Sequence, residues 1–373
     1  MSKEKITIVG GGNGGFAAAA DLTIQGHQVT LFEVPAFKAS LDEAIKAGGI
    51  DLECLPSNGI KPGFAKIHKF TIDPAEAMKD SDIVLIIAPS YSLNTLAKML
   101  APFVRENHII SLCPANFGGS VYVRKIMLEN GCTVKNLKVA EFSCMMYATR
   151  KKDAKSVYIR GYKHNLGFSV FPSEGQEEIF KRMQAIYPIL IPYGNIIETG
   201  LSNLNTFIHT PIMMGNIAGI QSQADLLFYR ECLTEGIGYL ADALDRERLQ
   251  FNKLESMNVV PLYDMTKGWY EYQGAVGNNL RELMNSNPTY YMSKLPTTLD
   301  HRYMTEDVPY GLIPIEQLLI ELGFEHEVTT AIIRICITAC GVDFYKDART
   351  LEELGMKGLN SKQLMSYLKT GAY

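Results

Sequence analysis

Short apolar runs alternate with amphipathic stretches over the first 142 residues, the pattern of strands and crossover helices in a parallel α/β sheet. The spacing predicts strands at 5–9, 28–32, 66–72, 83–88, 108–113 and 138–142, with helices at 14–25, 40–47, 75–79, 93–104 and 119–130. The central strands are apolar at successive positions, as expected where helices cover both faces of a sheet. From Tyr147 the texture changes. Residues 147–172 mix Lys, Arg and aromatics with turn signals at Arg160-Gly161 and His164-Asn165, and read as a strand extension. A helix is predicted at 174–185, followed by a connection through Pro188, Pro192 and Gly194. Helical spacing then takes over at 203–229, 231–250, 276–284, 314–321, 328–340 and 361–368. The expected architecture is α/β: a doubly wound parallel sheet with its strand extension in 1–190, then a mostly helical domain in 191–373.

A chain of 373 residues exceeds one ordinary core, which agrees with two domains. A composition of 47% hydrophobic and 20% charged residues is that of a globular protein, and a net charge of −4 favours neither nucleic acid nor membrane as a partner. The longest apolar run, 83–89, is too short to span a bilayer. The chain opens Met-Ser-Lys-Glu-Lys and reaches a strand by Ile6, so no signal peptide is expected. Seven cysteines without a CxxC pair read as reduced thiols in a cytoplasmic protein that holds no metal. The oligomeric state stays open, a homodimer included.

The opening KITIVGGGNGGFAAAADL, followed by GHQVTLFE, sets a glycine motif between a strand and a helix. Gly10, Gly12 and Gly15 fit G-x-G-x-x-G, with Asn13 and Gly14 inside it. Gly10 serves the tight turn, Gly12 the approach of a pyrophosphate, and Gly15 with Ala17–Ala20 the packing of helix on sheet. The helix amino terminus adds N–H donors and a partial positive charge. Glu33, ending the second strand, suits the adenosine ribose hydroxyls. No Arg follows it over the next four residues, which favours NAD over NADP. This context marks a Rossmann domain; FAD fits less well, since no second cofactor-binding segment is evident. Two later strand ends share the rim, one with Pro89 and one with Asn116, where plain turn chemistry is an equal reading.

Hydride transfer to a carbonyl or imine carbon requires a proton donor near the hetero-atom and a cation for the substrate carboxylate. Of the seven histidines, His209 has the most suggestive setting, in SNLNTFIHTPIMMGN. Asn205 lies one turn before it on the same helix face, and Pro211 is expected to kink the helix. On spacing alone a satisfied buried histidine is the commoner outcome. The segment DHRYMTEDVPYGLIPIEQ concentrates Arg302, Glu306 and Asp307. Arg302 offers a fork for a carboxylate, and Asp307 a partner to orient His209. A charged loop capping the helix at Pro314 is the competing reading.

Taken together, the glycine segment, AEFSCMMYATR, NLNTFIHTP and HRYMTEDVPYGLIPI resemble the opine dehydrogenases of octopine/nopaline type, from Ile6 to about Lys357. The resemblance implies reductive condensation of an amino acid with a pyruvate-like 2-oxo acid through an imine, at the expense of NAD(P)H. It implies His209 as the catalytic histidine, Asp307 as its acidic partner, and Arg302 as a carboxylate anchor. Glu141 would bind the amino acid, with Asn205 and Tyr147 beside the substrates; the role of Arg150 is left open. Met145-Met146 and Ala348 depart from the family pattern, the first where substrate choice is set. The alternatives are a simple 2-oxo acid or ketone reductase, like ketopantoate reductase or glycerol-3-phosphate dehydrogenase, and a non-catalytic dinucleotide sensor. The former families place a lysine on the equivalent helix, and residues 201–224 contain none.

Overall fold

In the computed structural model residues 3–372 are described; residues 1, 2 and 373, at the outer ends of the two expected domains, lie outside it. The chain forms two compact units, one of residues 1–115 and 119–192, the other of 116–118 and 193–373.

The first unit contains β1 (Lys5–Val9), β2 (Gln28–Phe32), β3 (Ile50–Cys54), β4 (Gly63–Ala65), β5 (Lys69–Thr71), β6 (Ile83–Ile86), β7 (Ile109–Leu112), β8 (Val139–Phe142), β9 (Tyr147–Lys151), β10 (Ser156–Tyr162), β11 (Leu166–Phe171) and β12 (Leu190–Pro192). Eight of them make one sheet in the order β12-β11-β8-β7-β6-β1-β2-β5. All its neighbours pair parallel except β11 with β8. β1 lies centrally, Val9 facing Phe32 on one side and Ile86 on the other. With a strand on either side, Ile6, Thr7, Ile8 and Val9 are all buried. The first helix, Asn13–Ile24, lays a wholly buried run, Phe16–Ala20, against the sheet.

A second, four-stranded sheet in the order β4-β3-β10-β9 was only half expected. β9 and β10 occupy the predicted strand extension, whereas β3 and β4 were not predicted. β4 has three residues and leaves Gly63 and Phe64 exposed, so it shows no apolar period; β3 alternates Ile50, Leu52 and Cys54 with acidic residues and was missed all the same.

The second unit is built on helices, among them Leu204–Gly215, Glu235–Leu249, Leu262–Tyr270, Ile313–Glu321 and Glu327–Cys340. The single helix predicted over 203–229 is instead two, divided at Asn216 (φ −125°, ψ 24°). The side-chain amide of Asn216 donates to the carbonyls of Ile212 and Cys232, which secures the break. Pro211 lies inside the first of these helices, which continues through it to Gly215. Beyond Gln221 the chain is irregular and joins Lys294 through a bridge at Leu227. Among the described residues no helix is long and apolar enough to cross a membrane. All seven cysteines are free thiols.

The glycine turn gives a stability test. A Cβ on Gly15 would lie 1.8 Å from the Gly10 carbonyl oxygen, whereas one on Gly12 meets nothing within 4 Å. Gly15→Ala is expected to cost about 3 kcal/mol or more in urea unfolding. Gly12→Ala, at the helix N-cap, should cost about 1 kcal/mol or less.

Candidate active site

In the first unit, the turn from β1 into the first helix is shaped by two close approaches. Gly10 adopts φ +117° with Ile87 against it, and Gly15 packs on Gly10 itself. The helix therefore begins with exposed space at Gly12, and its first N–H groups have no intrahelical acceptor. Glu33 closes the turn: Oε2 accepts from the Gly11 N–H at 2.7 Å and Oε1 from the Val34 N–H at 2.8 Å. Each oxygen keeps further acceptor capacity. Pro89 follows β6 on the same rim, its carbonyl taken by the Ser92 hydroxyl at 2.7 Å.

Lys151, at the end of β9, is a residue that the sequence did not single out. Its ammonium lies 3.3 Å over the Phe16 ring, 3.2 Å from the Gly11 carbonyl and 3.4 Å from that of Ser40. Its backbone N–H donates to the Asn13 side chain at 2.8 Å. Burial pulls this ammonium down to about 8. The hydroxyl of Ser40, beside Gly11, is buried without a hydrogen-bond partner. Open space at Gly12, unpaired helix N–H groups, a cation and an orphaned hydroxyl fit a dinucleotide pyrophosphate and its adenosine ribose.

Two residues expected near the substrates have partners inside the first unit. Glu141 on β8 is 0% exposed and accepts from the Ser120 N–H at 3.1 Å, at the start of the Gly119–Glu129 helix. Tyr147 donates to the Asp21 carboxylate at 2.6 Å and stacks on Tyr162. Burial raises both the Asp21 carboxyl and the Tyr147 phenol above their ordinary values.

In the second unit, the chain brings His209 and Asp307 together. Asp307 Oδ2 lies 2.7 Å from His209 Nδ1, and the two residues are only 4% and 5% exposed. An ionised carboxylate accepts and does not donate, which assigns the proton to Nδ1. The other ring nitrogen, Nε2, is 2.7 Å from the Tyr229 hydroxyl. Tyr303 stacks on the imidazole at 3.8 Å between centroids, and Phe228 meets it edge-on at 5.7 Å.

Local backbone choices bring the pair together. Asn203 caps the His209 helix, and Asn205, next along it, donates its N–H to that cap. Residues Val308–Leu312 form a wide π turn, a distortion common at functional sites. Gly311 lets this turn press on the helix: a Cβ there would lie 2.5 Å from Thr206 Oγ1. Arg302, exposed, pairs with the buried Glu306 at 2.8 Å. Asn116, at the strand end the sequence offered for cofactor contact or plain turn chemistry, also has protein partners. In a left-handed conformation (φ 53°), its amide donates to Glu306 at 3.3 Å and its carbonyl accepts from Asn203. Tyr229 and Glu306 are further residues of the cluster; Tyr229 carried no signal, since the pattern placed it at the end of a long helix.

The helical unit matches the family model of the NAD/NADP octopine/nopaline dehydrogenase alpha-helical domain over residues 192–340, and residues 5–114 match the NAD-dependent glycerol-3-phosphate dehydrogenase N-terminus. An opine dehydrogenase of Arthrobacter sp. (strain 1C) is 29% identical over 367 residues, 98% of this chain and 99% of that protein. The octopine dehydrogenase of Pecten maximus is 21% identical over 349 residues, 86% of each chain. A glycerol-3-phosphate dehydrogenase of Lactobacillus delbrueckii subsp. bulgaricus is 34% identical, but over 106 residues, 28% of this chain and 29% of its own. That likeness stops at the dinucleotide half. Among solved structures, octopine dehydrogenase with NADH and L-arginine superposes with a TM-score of 0.78 at 18% identity, covering 100% of this chain and 99% of its own. The glycine turn, the helical domain and the full-length similarity agree in making the chain similar to the opine dehydrogenases over nearly its whole length.

Proposed function

We infer that this protein catalyses the reversible, NADH-dependent reductive condensation of an amino acid with a 2-oxo acid, through an imine, to a secondary-amine dicarboxylate. The buried His209–Asp307 pair is the observation that carries the reading, because this chemistry needs an acid–base group of fixed orientation. Bound NADH supplies the hydride. The first unit's residues hold it: the Gly10–Gly15 turn takes the pyrophosphate, Glu33 the ribose hydroxyls, and Lys151 adds a cation. In the reductive direction His209 in its imidazolium form gives a proton to the departing carbonyl oxygen, and in the oxidative direction neutral His209 accepts that proton. Asp307 keeps the ring in one tautomer throughout. Arg302, already paired with Glu306, presents its remaining N–H donors to a pyruvate-sized carboxylate. Glu141 and Tyr147 support substrate binding indirectly, through the helix start and the Asp21 contact they hold. Cytoplasmic residence, supported by the free thiols, and a homodimer without nucleic-acid partners complete the proposal.

The reaction class is tested by crossing 2-oxo acids with amino acids and following NADH oxidation. Fast turnover is expected only when both are present. An equal rate with an oxo acid alone would make the protein a simple reductase.

Cofactor choice follows from Glu33. NADH should be preferred over NADPH by about tenfold or more in kcat/KM, about 1.4 kcal/mol. Glu33→Gln, which removes the charge but retains an acceptor for Gly11, should narrow that ratio. Lys151 is charged below pH 8 and loses its charge as the pH rises through that value. NADH affinity, measured by fluorescence titration, should fall over the same interval, and Lys151→Met should abolish the step.

For the acid, His209→Ala is expected to lose on the order of 10²–10⁴-fold in turnover while still binding NADH. Asp307→Asn should also lose turnover, and the double variant should be little worse than His209→Ala, since the pair acts as a unit. Near-normal turnover in His209→Ala would remove the assignment.

A further inference from the structure

His209 has no ring nitrogen to spare. Asp307 holds Nδ1, Tyr229 holds Nε2, Tyr303 covers one face, and the residue is 4% exposed. A proton on Nδ1 is retained by the carboxylate, so any proton that His209 delivers must leave from Nε2, where the Tyr229 hydroxyl sits. A hydroxyl can accept one hydrogen bond and donate another at the same time. Among the described residues, the Tyr229 hydroxyl bonds to His209 and to no other group, although Tyr229 is only 5% exposed. Half of its capacity is therefore unspent inside the site.

Tyr229 is also well held. Its ring lies on Tyr290 at 4.8 Å, and the Tyr290 hydroxyl meets that of Tyr270 at 2.5 Å. Its carbonyl accepts from the Asn285 amide at 2.5 Å. The preceding N–H, of Phe228, donates to the Ser293 carbonyl at 2.8 Å. The phenol is pushed well above its ordinary value by burial, with the neighbouring tyrosines and Asp307 adding to the effect. Burial therefore favours its neutral hydroxyl form.

We propose that Tyr229 is a catalytic residue, the outer member of an Asp307–His209–Tyr229 relay whose hydroxyl hands the proton to the substrate hetero-atom. The proposal rests on the reading of His209 as the acid. In the reductive direction the Nε2–H bond breaks as a new O–H bond forms on Tyr229. The original Tyr229 O–H bond breaks as its proton joins the substrate oxygen or nitrogen. Tyr229 is neutral before and after, His209 passes from imidazolium to imidazole, and no electrons are exchanged along the relay. The oxidative direction reverses both transfers.

The test compares Tyr229→Phe, His209→Ala and the wild type in single-turnover NADH oxidation with saturating substrates. The relay predicts that Tyr229→Phe loses on the order of 10²-fold in rate, with the NADH dissociation constant unchanged within about twofold. In the wild type, the rate should vary with the deuterium fraction of the solvent along a curve, as two protons in flight require. That measurement needs no variant to fold. A Tyr229→Phe enzyme that binds NADH and turns over at the wild-type rate, or a straight-line solvent dependence in the wild type, would overturn the relay. If His209→Ala is inactive in the same series, only the relay fails; if His209→Ala is active, the acid assignment fails with it.

Discussion

The bond between Asp307 and His209 constrains the second unit more than any other contact, because the two residues come from distant parts of the chain and both are buried. A carboxylate taken out of water needs a partner, and an imidazole taken out of water needs both nitrogens satisfied. Several otherwise odd local features serve that requirement. The π turn at Val308–Leu312 follows Asp307 directly, and Gly311 allows the turn to touch Thr206, one turn before the histidine. The Asn203 cap fixes where the helix begins, and Asn116 ties that cap to Glu306. Arg349 adds a brace, its guanidinium donating to the Phe117 carbonyl at 2.7 Å while its backbone N–H donates to that of Pro309 at 3.1 Å.

The first unit answers a different constraint: a polyanionic ligand must meet backbone rather than side chains at its phosphates. Gly10 and Gly15 fulfil it by approaches that no Cβ would permit. The charges are placed at the margins instead. Glu33 clasps the turn from β2, and Lys151 clasps it from β9 of the small sheet, with Gly11 in contact with both. The small sheet is thereby more than an appendage, since it supplies one of the two side chains that brace the turn.

What could be read from the sequence follows from which interactions are local. β1, the first helix and β2 were legible because a period of two, a glycine turn and a period of 3.6 follow one another within a few dozen residues. β3 and β4 were not: β3 is completed by the distant β10, and the three-residue β4 pairs only with β3 and is largely exposed. The break at Asn216 was missed for a related reason: its amide is satisfied by Cys232 beyond the helix. Within the site, the segments carrying His209, Asp307 and Arg302 were legible as concentrations of chemistry. Lys151 and Tyr229 were not. One looked like part of a solvated basic strand and the other like a helix end, and only tertiary contacts set them apart.

The charges around Asp307 bear on why a histidine occupies this position. Glu306 and Asp307 are consecutive and both nearly buried, yet the fixed cation beside them, Arg302, pairs with Glu306. In the proposed reaction a substrate carboxylate arrives at Arg302 as a third negative group. An imidazole can be charged while the anionic substrate is present and neutral once its proton has gone, with the same two hydrogen bonds kept in both states. Asp307 accepts from Nδ1 in either case, and only the direction of the bond to Tyr229 reverses. The site can therefore change its charge by one unit without moving a heavy atom, which is what general acid catalysis in a buried place demands.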